Sequence, residues 1–162
     1  MGTIVVGVDG SAGSDAALRW ALAEARLRGA RLNVIHAFQA PQLTVGDLGI
    51  AAGAPAAAFS TEEIGRLRSA VESDARNVVE AALRRAADDA IAGLEVELQA
   101  LEGPAVEVLI ESGRGAELLV LGSRGRGGFL GLLLGSVSQQ CAQHPPCPVV
   151  ILPPPDEDAV RA

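Results

Sequence analysis

Leu118-Leu119-Val120-Leu121 runs directly into Gly122-Ser123-Arg124-Gly125-Arg126-Gly127-Gly128-Phe129-Leu130-Gly131-Leu132-Leu133-Leu134-Gly135-Ser136-Val137. Four consecutive aliphatic residues read as a strand buried on both faces of a parallel sheet. The glycines that follow disfavour regular structure but let backbone N–H groups turn inward and approach an anion closely. A short helix is expected to start at Ser136, and its N-terminus adds donors to the same place. A triphosphate suits that description. The spacing is not the Walker pattern, which needs a lysine after its second glycine, because the chain contains no lysine. Nor is it Gly-x-Gly-x-x-Gly, since Leu130 stands where the third glycine would be.

The rest of the chain supplies an α/β frame for this segment. Thr3-Ile4-Val5-Val6-Gly7-Val8 is a second buried strand, ending at the turn Asp9-Gly10-Ser11. From an N-cap at Ser14 or Asp15, the residues Ala17, Leu18, Ala21, Leu22, Ala25 and Leu27 recur at helical spacing until Gly29. Residues 31–37 read as a strand. A long amphipathic helix runs from a cap at Thr61 towards Asp89, burying Ile64, Leu67, Val71, Ala75, Val78, Ala82 and Ala86. Leu94 to Leu98 alternates as a half-exposed strand, Pro104 takes the first position of a helix ending near Gly113, and residues 148–152 form a fifth strand. Strands alternating with helices specify a parallel sheet with right-handed crossovers, in which ligands sit beyond the carboxyl ends of the strands.

At 162 residues the chain fits one domain. We expect it over 1–155, with an acidic, disordered tail over 156–162. The formal charge of −7 gives no field for collecting on nucleic acid. No apolar run approaches the length of a membrane span, and no leader precedes the first strand, so a cytoplasmic protein without membrane contact is expected. Cys141 and Cys147 are expected as reduced thiols that neither bind metal nor staple the fold.

Gly122, Gly125, Gly135 and Ser136 are in register with Gly-x2-Gly-x9-Gly-Ser/Thr, and in this the chain resembles the ATP-binding subgroup of the universal stress protein family. The likeness extends to Val5-Val6-Gly7-Val8-Asp9-Gly10-Ser11, Val34-Ile35-His36-Ala37, Gly135-Ser136-Val137-Ser138 and Cys147-Pro148-Val149-Val150. It implies a Rossmann-like fold of the adenine nucleotide alpha hydrolase kind: an open five-stranded parallel sheet, order 3-2-1-4-5, with helices on both faces. It also implies an ATP site in which Asp9, with Gly7 and Val8 before it, lies against the nucleoside and Ala37 packs near the adenine. Leu121 and Gly122 would close the pocket. Arg124 and Gly125, followed by Arg126 and Gly127, would lie beside ribose and phosphates, and Gly135, Ser136 and Val137 would receive the phosphates. Magnesium could accompany ATP, although no carboxylate pair is dedicated to it. Glu117 departs from the aspartate that many members carry before the fourth strand.

Taken singly, these residues have plainer readings. Asp9 could be a turn former; at a strand's carboxyl end it can also accept hydrogen bonds from ribose or adenine, but a single carboxylate is a poor acid/base catalyst. Arg124 and Arg126 could be solvated charges, yet they are the local cations for phosphate. His36 and His144 read as structural. The segment from Phe38 to Phe59 resembles a flap over the pocket mouth. The apolar fifth strand reads as a sheet edge needing a cover, and the family's habit of pairing it with its twin implies a homodimer through 148–152.

A regulatory module is therefore expected: ATP orders the loop and flap, and unidentified protein partners sense the result. A slow ATPase or phosphotransferase, and a binder of AMP or a cyclic nucleotide, are the competing readings. No catalytic residue is assigned.

Overall fold

The computed structural model describes residues 2–40, 60–86, 92–125 and 134–154. Five strands, β1 (Thr3–Gly7), β2 (Arg31–Phe38), β3 (Val96–Glu102), β4 (Leu118–Gly122) and β5 (Val149–Leu152), form one parallel sheet in the order β3-β2-β1-β4-β5. The helices are α1 (Ala12–Arg28), α2 (Thr61–Ala86), α3 (Ala105–Gly113) and α4 (Ser136–Gln143). The expected sheet and strand order are thus found.

Strand alternation divides the core into two layers. Ile4, Val6, Leu32, Val34, Leu118 and Val120 point to one side and pack with Leu18 and Leu22 of α1 and Val79 and Ala82 of α2. Val5, Ile35, Leu119 and Leu121 point to the other and pack with Leu109 of α3 and Cys141 of α4. The central strand β1 is wholly buried from Ile4 to Val6, as expected of a strand covered on both faces.

Local chemistry sets the element ends, and several lie away from their expected positions. The N-cap of α1 is Ser11, not Ser14 or Asp15: its Oγ accepts from the Ser14 N–H at 3.2 Å. The stop at Gly29 is as expected, in the left-handed region at φ 61°, and the Ala30 N–H returns to the Ala25 carbonyl at 2.9 Å. Leu27 is 81% exposed and so lies off the buried stripe. In α2 the cap is Ser60 rather than Thr61, through a capping box. The Ser60 N–H donates to Glu63 Oε2 at 2.6 Å, and the Glu63 N–H donates to Ser60 Oγ at 3.2 Å. Val79 rather than Val78 is its buried valine, and Leu67 is 43% exposed. β3 begins at Val96 and continues through Glu102 because its pairing with β2 extends to Phe38. Pro104 is the N-cap of α3, one position earlier than expected.

Asp15, buried in the first turn of α1, accepts both a 2.7 Å and a 3.0 Å hydrogen bond from Arg85 of α2. That fork ties the two helices of one layer. Cys141 and Cys147 are free thiols, and burial raises the pKa of both. The acidic tail and residues 41–59 of the expected flap lie outside the described residues; of its start, Phe38 belongs to β2 and Ala40 is buried.

Candidate functional site

β1 is flanked by β2 on one side and β4 on the other, so the connections leaving β1 and β4 lead to opposite faces and open a crevice at their carboxyl ends. A cavity of about 530 Å³ occupies that place, within the usual range for a small-molecule site. Gly7, Val8, Asp9, Ala37, Leu121, Gly122, Arg124, Gly125, Gly135, Ser136 and Val137 all line it. The structure therefore brings together eleven residues drawn from four separate stretches of sequence. Arg126 and Gly127 lie outside the described residues.

The glycines serve different purposes. A Cβ on Gly122 would meet the backbone of Gly13 at 2.8 Å, and one on Gly13 would meet the Arg124 carbonyl at 2.9 Å. Those positions let α1 lie against the loop. A Cβ on Gly125 would come within 2.5 Å of Asp9 Oδ2, so this glycine gives the carboxylate its room. Around Gly135 the nearest atoms are the Ser123 carbonyl oxygen at 3.5 Å and Arg124 Cα at 3.6 Å, which is ordinary contact. Packing explains Gly122 and Gly125; it does not explain Gly135.

Asp9 is held by its neighbours. Its Oδ1 accepts from the Ser11 Oγ at 2.6 Å and the Ser11 N–H at 3.0 Å, while its own N–H donates to Ser14 Oγ at 3.3 Å. The turn-forming role is thus real, and it fixes the carboxylate at the cavity wall. The loop is pinned to α4 in turn: the Gly135 N–H donates to the Ser123 carbonyl at 2.6 Å, and Ser138 Oγ lies 3.0 Å from both the Ser123 and Gly135 carbonyls.

The two helix N-termini near the loop are not equivalent. In α1 the Ser11 side chain satisfies a first-turn N–H. In α4 the cap is Gly135 and no side chain closes the turn, so N–H groups of Ser136, Val137 and Ser138, which have no intrahelical acceptor, are left beside the cavity those residues line. Arg124 Nε is buried and has no hydrogen-bond partner among the described residues. The lining thus includes a helix start that no side chain caps and a guanidinium nitrogen without a partner among the described residues. The lining also includes the apolar Ile35, Ala37, Leu109 and Leu121. Such a site can receive a ligand with an anionic end and a flat, less polar body. Among the described residues no three His, Cys, Asp or Glu side chains gather to hold a metal ion, and none of the described helices is long and apolar enough to cross a membrane.

Several lining residues were not expected from the sequence: Ser14, Ile35, His36, Ala105, Leu109, Leu134 and Ser138. His36, read from the sequence as structural, has Nδ1 2.8 Å from the Val8 carbonyl oxygen and also borders the cavity. Ser138 had a signal, standing three residues after the cap, where a side chain can fold back on a helix start. Ala105 and Leu109 had none, because α3 reaches the cavity only through packing over the sheet.

Comparison with known proteins agrees with this architecture. The family model described as Universal stress protein family matches residues 1–153. The universal stress protein Rv2623 of Mycobacterium tuberculosis is 34% identical over 157 residues, 97% of this chain and 48% of that protein. The chain spans about half the length of the curated relatives it matches. A crystal structure of a universal stress protein in complex with cAMP is 29% identical with a TM-score of 0.59, covering 93% of this chain and 96% of that one. An Arabidopsis thaliana family protein with AMP bound has the same fold, at 17% identity and a TM-score of 0.63, covering 98% and 95% of the two chains.

Proposed function

The chain belongs to the universal stress protein family, and on that premise we propose that it binds ATP in the cavity beyond β1, β2 and β4 and acts as a nucleotide-dependent regulatory module in the stress response. The observation that carries this reading is that the start of α4, which no side chain caps, and Arg124, whose buried Nε has no partner among the described residues, both belong to the lining of that cavity. An anion at a helix N-terminus is stabilised by the oriented N–H groups, and a guanidinium adds charge-assisted hydrogen bonds.

In this reading Gly135, Ser136 and Val137 hold the phosphates with Arg124 and Gly125, and with Arg126 and Gly127 from the same loop. Asp9, behind Gly7 and Val8, faces the nucleoside; Ala37 lies by the base, and Leu121 and Gly122 close the inner wall. When bound, ATP supplies a triphosphate whose charge these groups offset. Any Mg2+ arrives on the phosphates. Asp9, the carboxylate on the cavity wall, is bound to Ser11, so hydrolysis is at most weak and the protein is a binder rather than an enzyme. A second reading, in which AMP or a cyclic nucleotide is the ligand, is favoured by the cAMP complex of the 29% identical protein.

The same proposal takes residues 1–155 as one cytoplasmic domain. It pairs two copies through 148–152 at the β5 edge and leaves the output to protein partners, with no role for nucleic acid or membrane. Calorimetric titration of the nucleotide-free chain with ATP, AMP and cAMP, with and without Mg2+, tests it. ATP is expected to bind tightest. Preference for AMP or cAMP transfers the assignment to the second reading, and absence of binding to all three removes both.

A further inference from the structure

β2 lies between β1 and β3, so its successive residues direct their N–H and C=O groups to alternate sides. The Arg31 N–H donates to Gly2 on the β1 side and the Leu32 N–H to Glu95 on the β3 side. Odd-numbered residues therefore face β1. The ladder continues as far as the Val8 N–H, which donates to the Ile35 carbonyl at 2.8 Å. Its next rung would join the Ala37 N–H to the Val8 carbonyl. That rung is missing: β1–β2 pairing stops at Gly7 with Ile35. The Val8 carbonyl lies instead 2.8 Å from His36 Nδ1, and since a carbonyl only accepts, Nδ1 carries the proton.

On its other side β2 stays paired with β3 through Ala37 with Leu101 and Phe38 with Glu102. Ala37 is thus held in extended geometry while its β1-facing N–H and C=O have no ladder partner among the described residues. It is half-buried and lines the cavity.

We infer that His36 is a positioning residue for the base end of the cavity: by capping the Val8 carbonyl it ends the ladder one rung early and leaves the Ala37 N–H and C=O for the edge of a bound base. The inference rests on the nucleotide reading above. A donor and an acceptor from one residue suit adenine, whose N1 accepts and whose 6-amino group donates. Guanine presents the donor and acceptor the other way round, so the pair selects between the two bases.

The test uses the full chain with ATP and GTP, together with amide hydrogen exchange at Ala37. The wild-type protein is expected to prefer ATP, and its Ala37 amide to exchange readily until ATP is added. His36→Phe keeps a ring but loses the donor; the Ala37 N–H then closes onto Val8, its exchange slows without ligand, and the ATP-to-GTP preference falls by about tenfold, the value of roughly one hydrogen bond. His36→Asn, whose amide can donate, restores most of the preference. An unchanged ATP-to-GTP ratio in His36→Phe overturns the inference while leaving nucleotide binding intact. So does an Ala37 amide already protected in the ligand-free wild type, a measurement that needs no variant. A wild-type protein that binds neither nucleotide overturns the ligand assignment itself.

Discussion

Gly122 and Gly13 meet backbone to backbone, so that a Cβ on Gly122 would stand 2.8 Å from the Gly13 carbonyl carbon. Backbone on both sides cannot turn aside as a flexible side chain would, and the contact lies where α1 starts and β4 ends.

Gly122→Ala is accordingly expected to lower stability by about 1–3 kcal/mol, the usual cost of overpacking. Gly135→Ala, whose Cβ would meet only ordinary contacts at φ −75°, should stay within about 1 kcal/mol of the parent. A longer side chain, as in Gly135→Leu, enters the gap between the loop and α4 and should weaken ATP binding while the far-ultraviolet CD spectrum is kept. Urea denaturation and calorimetry on the three variants check this. A Gly122→Ala protein as stable as the parent would show that α1 and the loop can separate at little cost.

Arg85 and Asp15 form a long-range polar contact that a single substitution can probe. The carboxylate is largely buried and the guanidinium half-exposed, so removing the arginine strands the more costly partner. Arg85→Ala should cost about 1–2 kcal/mol, and Arg85→Lys should recover only part of it because an ammonium cannot reproduce the fork. Equal stability of the alanine variant and the parent in urea would assign the contact no net value.

The capping box at Ser60 and Glu63 makes the start of α2 sensitive to acid. Hydrogen bonding from Ser60 holds the Glu63 carboxyl below its ordinary value. A depressed folded pKa means the cap contributes fully above the unfolded value of 4.5 and is lost as pH falls through the lower folded one. The Ser60 amide resonance should therefore shift in that acid range, and Glu63→Gln should abolish the transition. Titration of the amide with the midpoint of a free glutamate would contradict the cap.

The strands β1, β4 and β5 were legible because each carries an aliphatic run, their order followed only from the family resemblance, and the α4 start was legible because Gly135-Ser136 closes a glycine array. Caps were harder. Ser11, Ser14 and Asp15 are all good cap residues within five positions; Ser11 wins because Asp9 and Ser14 hold it, which depends on the turn's three-dimensional shape. Adjacent Val78 and Val79 are equally apolar, and only docking against the sheet decides that Val79 faces inward. Within the candidate site, strand ends and glycines could be placed from the sequence. The His36 link to Val8 and the α3 wall could not, since both arise from where neighbouring elements stop.

The position of β1 also has a consequence for how the molecule is made. Its neighbour β2 follows at once, but Ile4 must wait for Leu118. A nascent chain can assemble β1, α1 and β2 and still leave one side of the central strand, and the Gly13 face of α1, bare until β4 emerges. Late docking of β4 is a long-range step of the kind that slows folding. Because Asp9 and Ser136 stand on opposite sides of that step, a ligand needing both walls can recognise only the completed fold, and it would favour that fold by mass action.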